Sequence, residues 1–199
     1  MDLRLLKQVN ELWRKVYPYL ADHVMEHYGR NHGDVLELGP FAGGISLELA
    51  KRHPRLNITV AAEDLSVVEL LHGEIEKAAL DRDVEVRRSS LNPIVFDDSL
   101  FDLVIFRGAY FFLDEEGSIL REIYRVLREG GIGFIGGGYG KNTPQGVIDE
   151  IADVSRDLND RLGRIRVSMK DVQNMVNKSG MTFQPEIQEE GGLWLIIRK

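Results

Sequence analysis

Hydrophobic and polar residues along this chain fall into two alternating kinds of segment. Four short runs are apolar almost throughout: Asp34-Val-Leu-Glu-Leu38, Ile58-Thr-Val-Ala-Ala62, Phe101-Asp-Leu-Val-Ile-Phe106 and Ile132-Gly-Phe-Ile-Gly136. A strand that faces solvent on one side alternates polar with apolar residues, so runs without alternation predict strands covered on both faces, as in a parallel sheet. A further strand is expected at Val84 to Arg88. Between the strands the apolar period lengthens to that of a helix. One helix is expected from Gly43 to His53, stopped by Pro54, and a second from Ser66, whose hydroxyl and Glu69 fit a capping box. A third runs from Glu115 to Arg128 and ends before Gly130-Gly131. A fourth opens at Thr143-Pro144 with Val147, Ile151, Val154, Leu158 and Leu162 on one face and closes at Gly163; a fifth runs from Ser168 to Gly180.

Strand and helix in alternation predict an α/β, doubly wound sheet. Its last two strands are expected at Phe183 to Glu189 and Leu193 to Ile197, joined by Gly191-Gly192 as an antiparallel hairpin. Pro185 cannot donate a ladder hydrogen bond, which places the first of these at the sheet edge and the second inside it. The count is then seven strands, mostly parallel. Before the first strand, Leu5, Val9, Leu12, Val16 and Leu20 recur at helical spacing, interrupted at Pro18, so residues 1–30 read as N-terminal helices. Core packing accounts for their stripe; a cover over a ligand is the sharper alternative.

Composition narrows the field. A chain of 199 residues with 43% hydrophobic composition supports one domain, 1–199, around one core. No apolar run reaches the 18 or so residues of a membrane span, and the first residues are amphipathic and charged, so a cytoplasmic protein without a membrane partner is expected. The absence of cysteine removes disulfides, thiolate nucleophiles and cysteine zinc sites. A net charge of −7 argues against a nucleic-acid partner, which needs clustered Lys and Arg.

The candidate chemistry sits at the first strand-to-helix turn, Glu37-Leu-Gly-Pro-Phe-Ala-Gly-Gly44, where an open α/β sheet binds its ligand. Asp64 follows Gly44 by 20 residues, at the end of the second strand, where a carboxylate can accept from both hydroxyls of a ribose. Taken singly, a glycine-rich turn is ordinary turn chemistry and an Asp before a helix is ordinarily a cap. Together, at this spacing, they predict a nucleoside-bearing ligand. Phe41 stands where a dinucleotide loop carries the glycine that admits the pyrophosphate, which disfavours NAD and FAD. S-adenosylmethionine carries an adenosine and no pyrophosphate. Glu37 suits its cationic amine, and an aromatic face suits its sulfonium. The alternative for Phe41 is a plug that packs the turn onto the next helix.

At this point "DVLELGPFAGGISLELA", "ITVAAEDLS" and "FDDSLFDLVIFRGAYFFLDEEGSILREIYRVLREGG" resemble the motifs of the class I S-adenosylmethionine-dependent methyltransferase family, over about residues 33–138. The resemblance implies a Rossmann-like sheet and S-adenosyl-L-methionine as cofactor. It also implies a binding set: Glu37, Gly39, Pro40, Phe41 and Gly43 around the methionine part, Asp64 on the ribose, Leu65 on adenine, Ser90 and Leu91 at its edge, and the backbone near Arg107 by the amine. Three positions depart from the family's pattern: Phe41 for a glycine, Ser90 for an aspartate and Glu129 for a proline.

Methyl transfer from a sulfonium needs positioning and a general base only where the acceptor must lose a proton. Arg107, Tyr110, Asp114, Tyr17, Tyr19 and His23 are the candidates around the mouth, each also explicable as packing; no catalytic residue is assigned. A small-molecule methyl acceptor is expected, with a protein substrate, or a non-enzymatic binder of S-adenosylmethionine or a nucleoside, as alternatives. A homodimer that completes a shallow acceptor site is compatible with the pattern. His23-Val-Met-Glu-His27 has the spacing of a zinc-peptidase motif, but nothing nominates a third ligand, and no metal is expected.

Overall fold

The computed structural model of the chain describes residues 2–80, 82–181 and 185–199. Each predicted strand is present: β1 Gly33–Leu38, β2 Leu56–Ala62, β3 Val84–Arg88, β4 Phe101–Arg107, β5 Leu127–Gly138, β6 Glu186–Gln188 and β7 Gly192–Arg198. They form one sheet in the order β3-β2-β1-β4-β5-β7-β6. Strands β1 to β5 pair in parallel and β7 runs antiparallel to both β5 and β6. The hairpin arises as the residues predict, with Pro185 entering the edge strand; Phe183 and Gln184, in the expected span of that strand, lie outside the described residues.

The unbroken apolar strands are buried on both sides. Val35, Leu103, Ile105 and Phe134 face one helical layer, while Leu36, Leu38, Val104 and Phe106 face the other. The first layer contains α1 Leu3–Leu12, α2 Tyr17–Tyr28, α3 Gly44–Arg52, α4 Leu65–Lys77 and α6 Gln145–Arg161; the second contains α5 Ser118–Val126 and α7 Met169–Lys178. Burying a strand residue between two layers removes its whole side chain from water, worth about 1.5–3 kcal/mol for a Val, Leu or Ile.

Three local expectations are corrected. The cap of α4 is Asp64 rather than Ser66: Asp64 is extended, its Oδ1 accepts from the Ser66 amide at 2.9 Å, and Ser66 lies inside the first turn. The third helix starts at Ser118 rather than Glu115, because Gly117 takes a left-handed φ of 66° and Asp114 accepts from the Ser118 amide at 3.1 Å. It ends at Val126, since Leu127 is already extended and pairs with Phe101 in the sheet. Pro18 does not break a helix but begins one: it lies in the first turn of α2, where its missing N–H costs nothing, after a single 3-10 turn at Trp13–Lys15. By contrast the Ser168 cap is as expected, with Asp171 completing its box.

The N-terminal stripe is core. Leu6, Val9, Trp13, Val16, Tyr17 and Leu20 are buried in the same cluster as β1 and α3, one position away from the predicted Leu5 and Leu12, which are half-buried.

Candidate active site

The turn after β1 is shaped from below. Gly39 and Gly43 adopt φ of 93° and 99°, and a Cβ on them would fall 2.8 Å from the Phe106 ring and 2.9 Å from Leu71. Glu37, fully buried in β1, accepts through Oε2 from the amides of Gly43 at 3.0 Å and Ser46 at 2.8 Å. Its carboxylate therefore satisfies donors at the start of α3 that the helix itself leaves unpaired. Burial pushes its pKa up, against the bonds from Ser46 and Gly43 and the nearby Arg107.

Next to this turn, Asp64 is exposed at the end of β2, with Oδ1 held by the amide and hydroxyl of Ser66 at 2.9 and 2.6 Å. Those two bonds keep its pKa below the usual range. Leu65 beside it is 56% exposed, an uncommon position for a large apolar side chain and one that leaves a face open to a ligand. Beyond β3 the chain folds back on itself: Ser90 Oγ donates to the Pro93 carbonyl at 2.5 Å, and buried Ser89 accepts from the Val95 amide at 2.9 Å. Leu91 pairs with Ile94 across that loop.

Phe41 is 1% exposed and packs on Phe111, with ring centroids 5.0 Å apart. Gly108, at φ 68°, gives it room, since a Cβ there would fall 2.5 Å from its ring. Phe41 is thus packed as a plug, but on the 3-10 turn after β4 rather than on the next helix. Its carbonyl accepts from Arg107 Nη2 at 3.0 Å, and the same nitrogen lies 3.1 Å from Tyr17 Oη and 3.3 Å from Asn10 Oδ1. The guanidinium carbon sits 4.9, 5.2 and 5.4 Å from the ring centres of Trp13, Tyr17 and Phe41, an aromatic cage around a buried cation. Tyr17 also lies directly on the turn, where a Cβ on Gly44 would fall 2.3 Å from its ring.

A cavity of about 390 Å³ opens beyond the ends of β4 and β5. Trp13, Phe41, Arg107, Tyr110 and Tyr139 are in its walls, and Gly137 and Gly138 are in its floor. Trp13 stacks on Tyr139 at 5.1 Å and donates to Ser155 Oγ at 3.0 Å, while Tyr110 donates to the Leu193 carbonyl at 2.9 Å. The structure therefore gathers Phe41 and Arg107 at this cavity. Gly43 borders a second, larger groove of about 1290 Å³ between α1, α3, α4 and α6. Asp64, Leu65, Ser90 and Leu91 line neither, and Pro40 is half-buried on the turn. Among the other candidates, Asp114 is occupied as a cap for Ser118 and Ile119, and Tyr19 lines neither cavity. His23 is buried against Phe134 and accepts from the Lys141 amide at 3.3 Å. Among the described residues no group of three or more His, Cys, Asp and Glu is placed to hold a metal, and no helix is long and apolar enough to cross a membrane. Asn10 and Trp13 were not in the sequence-predicted set; the signal for them was the helical spacing of 10, 13 and 17, which puts both on one face with Tyr17.

A methyltransferase-domain family model matches residues 36–135, just over half of the chain. The chain belongs to the class I S-adenosylmethionine-dependent methyltransferase family. A solved structure from Methanococcus maripaludis, described as a candidate S-adenosylmethionine-dependent methyltransferase, is 28% identical and superposes with a TM-score of 0.81, covering 98% of this chain and 91% of that one. Among curated methyltransferases, the cypemycin N-terminal methyltransferase of a Streptomyces species is 36% identical over 120 residues, 58% of this chain and 46% of the relative. The ubiquinone/menaquinone biosynthesis C-methyltransferase of Desulfotalea psychrophila is 28% identical over 99 residues, 50% of this chain and 39% of the relative. Matches of this methyltransferase chain thus span less than half the length of these curated relatives, whose names give different acceptors.

Proposed function

We propose that this methyltransferase transfers a methyl group from S-adenosylmethionine to a small-molecule acceptor held in the 390 Å³ cavity. The observation that carries the reading is the sharing of Phe41 and Arg107 between the glycine turn and that cavity, so a ligand lying along the turn abuts whatever fills the cavity. The residues fit the cofactor. Asp64 offers the ribose a carboxylate already oriented by Ser66, with Oδ2 outside those bonds, and Leu65 offers adenine an open apolar face. Ser90 and Leu91 border the adenine edge, while Gly39, Pro40 and Gly43 give the methionine part a turn without bulky side chains on its path. Glu37 acts from below by fixing the turn's amides, and the Arg107 backbone closes the methionine end.

When bound, S-adenosylmethionine supplies a methyl group on a sulfonium, a leaving group already activated. The chain then has to align an acceptor and exclude water. Phe41, Trp13 and Tyr139 provide the apolar walls for this, and Tyr110 is pinned to Leu193 rather than free to act as a base, its pKa raised by burial.

Calorimetric titration with S-adenosylmethionine, S-adenosylhomocysteine and NAD tests the reading. The first two should bind and NAD should not. A folded protein that binds neither of the first two would sink it.

A further inference from the structure

The cavity's charge is at odds with the rest of the chain. The protein carries a net charge of −7, yet four arginines, Arg107, Arg156, Arg164 and Arg166, line this cavity, and among the described residues no Asp or Glu does. Three of them have carboxylate partners outside the cavity wall. Arg156 pairs with Asp153 at 3.0 Å, and Arg164 and Arg166 share Asp160 at 2.8 and 3.6 Å. Four guanidiniums thus face two carboxylates.

The deepest has no carboxylate within ion-pair distance among the described residues. Arg107 is 4% exposed and among the described residues has no ion-pair partner. Its contacts are neutral: a carbonyl, a phenol, an amide oxygen and three ring faces. The nearby Glu37 carboxylate bonds to the turn's amides instead, and a buried cation without a paired anion is costly, a cost that ring faces offset only in part. Its Nε and that of Arg164 are both buried and without a hydrogen-bond partner among the described residues. Two unused guanidinium donors at one cavity match a carboxylate, which accepts from planar N–H forks. Arg156 and Arg166, with side chains 58% and 77% exposed, stand at the mouth, where they draw an anion inward. The remaining walls include the rings of Trp13, Phe41, Tyr110, Phe111 and Tyr139, which suits an aromatic ligand.

We infer that the acceptor is an aromatic carboxylate, its acid group taken by Arg107 and Arg164 and its ring by Trp13, Phe41 and Tyr139. The inference rests on the methyltransferase reading for the word acceptor, while the anion site stands on the cavity alone.

Benzoate, benzamide and acetate, titrated calorimetrically into the full chain with and without saturating S-adenosylhomocysteine, separate the two. Benzoate should bind, with benzamide and acetate each weaker by about tenfold or more. Arg164→Gln should weaken benzoate by about tenfold and leave the affinity for S-adenosylhomocysteine within twofold; Arg166→Gln, at the exposed mouth, should weaken benzoate less and make its binding less sensitive to salt. Equal binding of benzoate and benzamide, unchanged benzoate binding in both variants, or no benzoate binding by the folded protein overturns the inference. Weakened S-adenosylhomocysteine in Arg164→Gln also overturns it, because the arginines would then serve the cofactor's own carboxylate. A protein that binds benzoate but not S-adenosylhomocysteine refutes the methyltransferase reading and leaves the anion site standing.

Discussion

Gly44→Ala sets two known effects against each other at one atom. Gly44 opens α3, and replacing a helical glycine by alanine ordinarily stabilises by up to about 1 kcal/mol. Here the added Cβ would fall 2.3 Å from the Tyr17 ring, more than 1 Å inside ordinary contact. The ring has little room to yield: Tyr17 is 5% exposed, and its hydroxyl lies 3.1 Å from Arg107 Nη2 and 3.3 Å from Asn10 Oδ1. Overpacking of this kind costs about 1–3 kcal/mol, so the clash should win and leave the variant about 1–2 kcal/mol less stable. For a domain of this size that is a fall in Tm of roughly 3–6 °C. Urea unfolding of wild type, Gly44→Ala, Tyr17→Ala and the double variant completes the test. In the Tyr17→Ala background the clash is gone, and Gly44→Ala should become neutral or stabilising. A Gly44→Ala protein more stable than wild type, or the same penalty with and without the Tyr17 ring, would refute the claim that α2 is seated on the turn through that contact.

Asp64→Asn keeps a good helix cap and should change stability by less than about 0.5 kcal/mol, while weakening S-adenosylhomocysteine about tenfold or more; calorimetry showing wild-type affinity would remove the ribose role. Leu65→Ser should likewise split its effects, because an exposed side chain contributes little to folding: an unchanged urea midpoint with weaker cofactor binding is expected, and a large stability loss would contradict the exposure. Glu122 is held below its usual 4.5 by Arg125, despite opposing burial, and it also accepts from the Ile94 amide. Since its charged form favours the folded state, its contribution is full above about pH 4.5 and is lost as pH falls through the lower folded value. Glu122→Gln should therefore flatten the acid limb of urea midpoints measured from about pH 6 to pH 3, and an unchanged slope would count against that pairing.

The sheet was readable because its strands are apolar on both faces, and nothing but a two-layered covering explains Asp34 to Leu38 or Phe101 to Phe106. Pro185 and Gly191-Gly192 then told which hairpin strand is the outer one. Helix ends were less legible, since Asp64 and Ser66 are both acceptable caps and only the path of the backbone selects between them, and the third helix waits for the left-handed Gly117. The turn itself was legible through Gly39, Gly43 and Asp64. The cavity was not. Trp13, Arg107, Tyr139 and Arg164 are far apart in the chain and meet only because β4 and β5 are neighbours and the 3-10 turn after α1 brings Trp13 against Arg107 and Tyr139. Phe41 shows both sides of this. Its place in the turn could be read directly, while its packing on Phe111 depends on a partner 70 positions away.

The glycines in the cavity floor divide the site into a part that can be re-cut and a part that cannot. A Cβ on Gly138 would fall 2.3 Å from the Gly191 carbonyl oxygen, a backbone atom held by the Gly140 amide at 2.9 Å, whereas one on Gly137 would meet only the Tyr110 ring at 3.8 Å. On the proposed reading, a change of acceptor preference falls to Gly137 and to the residues of α6 and of 164–167, which carry three of the cavity's four charges, while Gly138 stays fixed by the backbone beside it.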